Sequence, residues 1–340
     1  MRGAGEADPP AEFECSVVIP THRGAHRLPL LLDALSTQDY IGKWELVVVV
    51  DGVLDGTVSL LDSYRDRLPL VVVVHNQPRG VVATMNEGIT AARGRIVMRC
   101  DDDLTPQNTL IRVHMAHHNG TSPIAVIGPT RDVFANGLYA RAYGIPATER
   151  SLAAGKIRDP ADRWVGWAAN NSVSRQVLVD LGGFDPRFVY GQDSELGYRI
   201  AQLGVQIVSD PELESQHRAP SMNVESRASR AFVSGASRKL FDRVHKGARD
   251  PSPQPSGIGP KVWDILVFCV ARMFRTRDAF GRVGRRVDGM LSKISPRLAA
   301  RIISLLVEAA GNSGRIYGSD DLAMYKLQKV AELSRELTGR

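Results

Sequence analysis

Apolar runs and helical periodicities alternate through the first hundred residues. Cys15–Pro20 (CSVVIP), Glu45–Val50 (ELVVVV), Leu70–His75 (LVVVVH) and Ile96–Cys100 (IVMRC) are short apolar segments, the pattern of strands buried on both faces. Between them, Leu28–Leu35, Thr57–Arg67 and Val81–Ala92 repeat apolar residues at helical spacing. This alternation predicts an α/β fold with a largely parallel sheet covered by helices. Ligands of such sheets lie outside the carboxyl ends of the strands. Three of those ends carry suggestive residues: Pro20-Thr21-His22-Arg23, Asp51, and Asp101-Asp102-Asp103.

Further along, Thr105 is placed to cap a helix with Pro106 at its first position, running to about His118. Ile124–Gly128 reads as a strand and residues 129–162 as irregular. Ser174–Leu181 reads as a short helix, followed by a turn at Gly182-Gly183-Phe184-Asp185-Pro186. Asp193–Leu203 is a predicted helix and Val205–Val208 a predicted strand. The Pro/Gly/Ser-rich stretch 247–260 looks like a linker. Helices are predicted beyond it at about 261–275, 296–310 and 320–337. The expected division is a disordered stretch 1–13, an α/β domain 14–245, a linker 246–260 and a helical region 261–340.

Composition narrows the class. The 340 residues are 43% hydrophobic and 24% charged, which excludes a disordered chain, a collagen-like repeat and a disulfide scaffold. The net charge of +6 invites a nucleic-acid partner, but it is unevenly placed. Residues 1–240 hold 25 basic and 27 acidic residues, and residues 241–340 hold 18 and 10. The basic character belongs to the tail, which argues against a nucleic-acid substrate. The three cysteines are far apart and form no CxxC, as expected in a reducing compartment and without a cysteine zinc site. Met1–Glu14 lacks the apolar run of a signal peptide, and no apolar stretch reaches the roughly 18 residues of a spanning helix. A cytoplasmic protein is expected.

The triple aspartate is the strongest chemical signal. Three adjoining carboxylates repel one another unless a cation or donors intervene. At i and i+2, Asp101 and Asp103 share one side of an extended segment, a hard-oxygen site for Mg²⁺ or Mn²⁺ and substrate phosphates. A solvated acidic turn before a helix is the other reading. His114, His117 and His118 lack a companion HExxH glutamate and read as a solvated helix face. Trp167 and Asn171, just before the GGFD turn, are candidates to contact a sugar of donor or acceptor.

Six segments in order, SVVIPTHR, VVVVDGVLDGT, Arg79–Gly88, IVMRCDDDLTP, NNSVSR and LGGFDPRF…GQDSELGYRIAQLG, resemble the family 2 glycosyltransferases, inverting enzymes of GT-A fold. The resemblance covers about residues 14–220. It implies a GT-A domain (Rossmann-like, nucleotide-diphospho-sugar transferase) over 14–245 with a helical C-terminal extension. Pro20, Thr21 and Arg23 match the loop against the nucleotide, and Asp51 the acid that contacts the base. Asp101 and Asp103 match the DxD motif, which touches the ribose and holds the metal, with Asp102 counted among the nucleotide contacts. Asp193 matches the catalytic base, and His217 a histidine near the metal or diphosphate. The implied activity is metal-dependent inverting transfer from a nucleotide diphosphate sugar to a glycan, lipid-linked or small-molecule hydroxyl.

This sequence departs from the family at three points. Val50 replaces a frequent acid, Val53 a frequent serine, and Gln192 the usual glutamate. Glu195 is therefore a second candidate base. The departures keep open a catalytically silent glycan- or lipid-binding module. A nucleotidyltransferase remains a further alternative, although His22-Arg23-Gly24-Ala25 is not the Gly-rich phosphate loop it usually carries. A dinucleotide oxidoreductase lacks its GxGxxG. In the tail, Arg272, Arg275, Arg277, Arg282, Arg285 and Arg286 adjoin WDILVFCVARMF. Two readings are open there: an interfacial helix on an anionic membrane at its inner face, or a helical region with its apolar stripe packed inward.

Overall fold

The computed structural model describes residues 12–218, 220–248 and 258–319. Residues 1–11 of the expected disordered stretch, 249–257 of the expected linker and the helix expected at 320–337 lie outside them. In chain order the elements are β1 (Phe13–Thr21), α1 (Leu28–Leu35), β2 (Trp44–Asp51), α2 (Thr57–Asp62), β3 (Leu70–His75), α3 (Val81–Ala91), β4 (Gly94–Cys100), β5 (Leu104–Thr105), α4 (Leu110–Ala116) and β6 (Ile124–Ile127). There follow β7 (Thr130–Asp132), α5 (Ile145–Lys156), β8 (Asn170–Ser174), α6 (Arg175–Asp180), α7 (Gln192–Gln202), β9 (Gln206–Ser209) and β10 (Ser215–His217). The chain continues with α8 (Val224–Val244), α9 (Ile258–Met273), α10 (Arg277–Met290) and α11 (Pro296–Tyr317). Two compact units result. One takes in residues up to Pro129, Trp167–Phe184 and Arg199–Ser215; the other takes in Thr130–Gly166, Asp185–Tyr198 and residues from Gln216 onward.

The first unit is built on a seven-stranded sheet of order β3-β2-β1-β4-β8-β6-β9. β1 runs parallel to β2 and β4, and β2 parallel to β3, whereas β8 is antiparallel to both β4 and β6. Helices cover both faces, so β1 and β2 read as unbroken apolar runs. On one face Leu28, Leu31, Leu32 and Leu35 of α1 pack against Val17, Ile19, Leu46 and Val48. On the other, α3 approaches so closely that a Cβ on Gly88 would lie 2.4 Å from the Val18 side chain. The register sets Thr21 beside Val50 and Asp51 beside His75. The carboxyl ends of β1, β2 and β4 therefore form one row.

Two expectations around α4 are corrected. Its helix begins at Leu110, not at Thr105, which lies in the short extended β5. Long-range hydrogen bonds hold the intervening turn. The Gln38 amide donates to Gln107 O at 2.9 Å, Asp39 N to Asn108 O at 3.0 Å, and Ile111 N to Gln38 Oε1 at 3.0 Å. Nor do the helix histidines form a solvated face, since His114 is 0% and His118 6% exposed. His114 bridges Ser172 Oγ and Asn170 Oδ1, each at 2.9 Å, and His118 Nε2 lies 2.8 Å from Ser172 Oγ. They tie α4 to β8.

Burial holds these two imidazoles neutral, lowering the pKa of His114 to about 4 and that of His118 to about 3. Their unfolded values lie near 6.5, so the unfolded chain takes up protons first as pH falls. Stability is full above about pH 6.5 and declines below it, by about 1.4 kcal/mol per pH unit for each histidine until its folded pKa is reached. The urea midpoint is expected to fall between pH 7 and pH 5, and by less in a His114→Gln variant. An unchanged wild-type midpoint would remove this account.

The second unit is helical at its core. Phe232 of α8, Phe280 of α10 and Ile303 of α11 are buried together with Ala271 of α9. α8 and α11 touch through backbone. A Cβ on Gly235 would lie 1.9 Å from Gly311 O, and one on Gly314 1.9 Å from Phe232 O. Among the described residues no helix is long and apolar enough to cross a membrane. α5, α8 and α10 are absent from the sequence prediction, and α5 lies in a stretch read as irregular. Half of the buried residues of α8 are Ala, Gly or Ser, and those of α10 are Phe280, Gly281, Gly284 and Val287. Small buried residues leave little apolar periodicity.

Candidate active site

The loop after β1 is tightly bound to its neighbours. The Thr21 hydroxyl donates to Asp102 Oδ2 at 2.6 Å. Arg27 grips the same carboxylate through Nε at 3.0 Å and Nη2 at 2.8 Å, and Nη2 also donates to His22 O at 2.7 Å. Gly24 makes room for this, because a Cβ there would lie 2.0 Å from Thr21 Oγ1. Arg23 adopts φ +53°, a left-handed conformation that costs a non-glycine residue about 1 kcal/mol or more. Pro20 is partly exposed at the start of the loop.

Two nitrogens of this loop, His22 Nε2 and Arg23 Nε, are buried and have no hydrogen-bond partner among the described residues. Buried polar atoms are normally satisfied, so an orphan points to a missing ligand or to stored strain. The other His22 nitrogen, Nδ1, lies 2.7 Å from Asp51 O.

Asp51, expected at the base, has both carboxylate oxygens engaged. It accepts from Arg79 N at 2.7 Å and Gly80 N at 2.8 Å, and lies 2.9 Å from His75 Nδ1. The group is buried and organises the turn that leads into α3. Asp102 is likewise buried and turned toward Thr21 and Arg27. Thr21 and Asp102 therefore shape the loop from within, their side chains largely buried.

Asp101 and Asp103 flank Asp102 and are partly exposed, so alternate carboxylates face outward. Asp101 forms a fork with the buried Arg99 guanidinium, at 2.7 Å to Nε and 3.1 Å to Nη2. Two outward carboxylates of hard oxygen suit a Mg²⁺- or Mn²⁺-type ion that takes its remaining ligands from substrate phosphates and water. Among the described residues no three His, Cys, Asp or Glu side chains form a metal cluster. Of the expected set, Asp101 and Asp103 belong to the first unit and His217 to the second.

Trp167 and Asn171 are buried, with Trp167 2% exposed. Asn171 Nδ2 donates to Ala168 O, whereas Trp167 Nε1 is a third buried nitrogen without a partner among the described residues. The following turn is held by Asn86, whose side chain accepts from Phe184 N at 2.7 Å and donates to Phe184 O at 2.9 Å. Gly182 and Gly183 both have positive φ, and a Cβ on Gly183 would meet Asn86 Oδ1 at 2.4 Å.

The second unit carries Asp193, Glu195 and His217. Asp193 lies in the first turn of α7 and is partly exposed. Glu195 is 0% exposed and lies 3.0 Å from His245 Nε2. His245 is packed by Tyr198 and Phe241, each with ring centroids 4.9 Å away. An enclosed carboxylate cannot meet an acceptor hydroxyl, which corrects the second choice of base. His217 places Nδ1 2.6 Å from Asp132 Oδ1.

Several of these partners are missing from the sequence analysis. Arg99 could have been found, since a charge interrupting a buried strand two residues before Asp101 shares its side. His75 ends β3 opposite Asp51. Arg27, His245 and Asp132 pair across 75, 50 and 85 residues and leave no local signal.

The sheet with its row of strand ends is the GT-A arrangement of glycosyltransferases. Residues 16–177 match the model "Glycosyl transferase family 2", and the relatives that follow are glycosyltransferases. It is 24% identical over 270 residues to the uncharacterized glycosyltransferase YfnE of Bacillus subtilis (63% of this chain, 67% of that protein). It is 25% identical over 194 residues to the glycosyltransferase AglE of Haloferax volcanii (56% of this chain, 62% of that protein). The fold is shared with the mannosyltransferase PcManGT from Pyrobaculum calidifontis, solved with GDP-Man and Mn2+. Its TM-score is 0.58 at 19% identity, covering 88% of this chain and 86% of that one.

Proposed function

We propose that this glycosyltransferase uses a nucleotide diphosphate sugar and a divalent cation, and transfers the sugar with inversion to an acceptor hydroxyl. The observation that carries the reading is the carboxyl edge of the sheet. There the outward Asp101 and Asp103 stand at the end of β4, beside a β1 loop whose His22 Nε2 and Arg23 Nε lack partners. These nitrogens are assigned to the nucleotide. Thr21, Asp102 and Arg27 hold the loop, and Asp51 holds the turn before α3. Asp101 and Asp103 would hold the cation, whose charge opposes that growing on the departing diphosphate. The structural neighbour's GDP-Man and Mn2+ are a donor and cation of the same kind.

Inversion is one displacement at the anomeric carbon. Asp193 takes the acceptor hydroxyl proton as the new C–O bond forms and the bond to the diphosphate breaks. The test is nucleoside diphosphate release from UDP-, GDP-, dTDP- and CDP-sugars with Mn²⁺ or Mg²⁺, with the product's anomeric configuration read by NMR. Absence of release and of binding with every donor would overturn the proposal, and a retained configuration would overturn inversion.

The tail is assigned a peripheral contact with the inner, cytoplasmic face of an anionic membrane. α9 has an inner stripe, including the buried Val267 and Ala271. Its outer stripe exposes Val262, Ile265, Leu266 and Met273 by 54%, 61%, 47% and 70%. A surface helix normally exposes a polar face there. Lys261, Arg272 and Arg275 are exposed beside that stripe and complement anionic headgroups. The protein is expected to float with phosphatidylglycerol vesicles, less with phosphatidylcholine, and not after Ile265→Glu with Leu266→Glu. Equal flotation of variant and wild type would exclude α9.

A further inference from the structure

The second unit contains a cavity of about 210 Å³, lined in part by Phe134, Tyr139, Tyr143, His217, Arg227 and Arg230. Its volume is below the roughly 300 Å³ at which small-molecule pockets usually begin, room for one sugar-sized unit and not an oligosaccharide. One side is aromatic. Phe134 meets Tyr139 edge to face with centroids 6.1 Å apart, and Tyr143 lies 5.9 Å from Tyr139. A Cβ on Gly144 would lie 2.8 Å from the Phe134 ring, so the glycine permits that packing.

The lining also carries two basic residues, Arg227 and Arg230. Arg227 and Arg230 are three residues apart on α8, so their side chains project from the same part of the helix. With the described residues neither forms a side-chain hydrogen bond or ion pair. Arg227 lies near the Tyr139 hydroxyl, whose pKa is raised by burial and opposed by the Arg227 charge. The cavity's one acid, Asp132, is engaged by His217 at 2.6 Å and by the Thr148 hydroxyl at 3.3 Å. Among the described residues the lining thus holds two arginines and one carboxylate, which is already engaged.

We propose that this cavity binds the acceptor, and that the acceptor is a sugar or polyol carrying an oxyanion, either phosphate or carboxylate. The guanidinium pair takes the anion through charge-assisted, forked hydrogen bonds, and the aromatic side packs the ring or carbon chain. The inference rests on the glycosyltransferase reading and adds the acceptor's chemical class to it. His217 is the link, since motif order assigns it to the transferase site and it lines this cavity.

Three probes separate the possibilities: glucose 6-phosphate, glucuronate and glucose, titrated into the full chain by calorimetry or ligand-observed NMR. At least one anionic probe is expected to bind about tenfold or more tighter than glucose, the worth of one charge-assisted contact. The phosphate arm names a phosphate ester and the carboxylate arm a uronate. Arg227→Gln with Arg230→Gln is expected to remove that preference while UDP and GDP still bind with Mn²⁺. Arg230→Gln alone, at an exposed position, is the second variant should the double variant fail to fold, and it is expected to reduce the preference. Equal binding of the three sugars, no binding of either anion, or an unchanged preference in a folded variant would overturn the proposal. Failure of the transferase reading shows separately, as absence of nucleotide binding by the wild type.

Discussion

Asp193→Asn is expected to lower the turnover number by about 10²- to 10⁴-fold, the usual worth of a general base, with little change in melting temperature. The amide keeps the size of the side chain, and asparagine is tolerated near a helix start. What it lacks is a site that accepts a proton. Asp193 is the partly exposed acid of the α7 first turn, whereas Glu195 is enclosed with His245. Glu195→Gln should therefore act first on stability, because it leaves His245 among aromatic rings with a weaker partner. Initial rates of nucleoside diphosphate release, measured beside melting curves, separate the two. If Asp193→Asn keeps more than about a tenth of the rate, the smallest loss expected of a general base being larger, Asp193 is not the base.

Asp103→Asn is expected to cost about 10²- to 10³-fold in turnover, the range seen when one electrostatic stabiliser is removed. It should also raise the Mn²⁺ concentration needed for half-maximal rate. The neighbouring substitution should behave differently. Asp101 is the partner of Arg99, whose side chain is only 5% exposed. Removing it takes away the forked carboxylate of a buried cation, so a loss of stability is expected. Inactivity of Asp101→Ala would then mix unfolding with lost chemistry, and Asp103 gives the cleaner result. A folded Asp103→Asn enzyme with wild-type rate and cation dependence would rule out Asp103 as a cation ligand.

Much of the first unit was legible along the chain. β1, β2 and β4 bury both faces, and an apolar run marks each of them as it does the half-buried edge strand β3. Leu28–Leu35 and Leu70–His75 have the same bounds in prediction and structure. α8 was not legible, because half of its buried residues are Ala, Gly or Ser and the backbones of α8 and α11 touch directly. α4 starts four residues later than a cap at Thr105 predicts, since the Gln38 side chain and the Asp39 backbone hold the preceding turn. Local capping preference yields to hydrogen bonds made at a distance.

The site shows the same division. Sequence alone determined the alternation of strands and helices, the order of the motifs, the resemblance they carry and the positions at which aspartates end strands. These depend on neighbours a few residues apart. Only the tertiary structure decided which acids face outward and which are consumed within the fold. Asp102 and Asp51 turn inward to donors, Asp101 and Asp103 alternate outward, Glu195 is enclosed and Asp193 is not. The histidines of α4 became an interior tie for the same reason. A carboxylate or imidazole of given sequence position is reactive or structural according to its burial and its partners. Those partners, such as Arg27 for Asp102 at a separation of 75 residues, are chosen by packing.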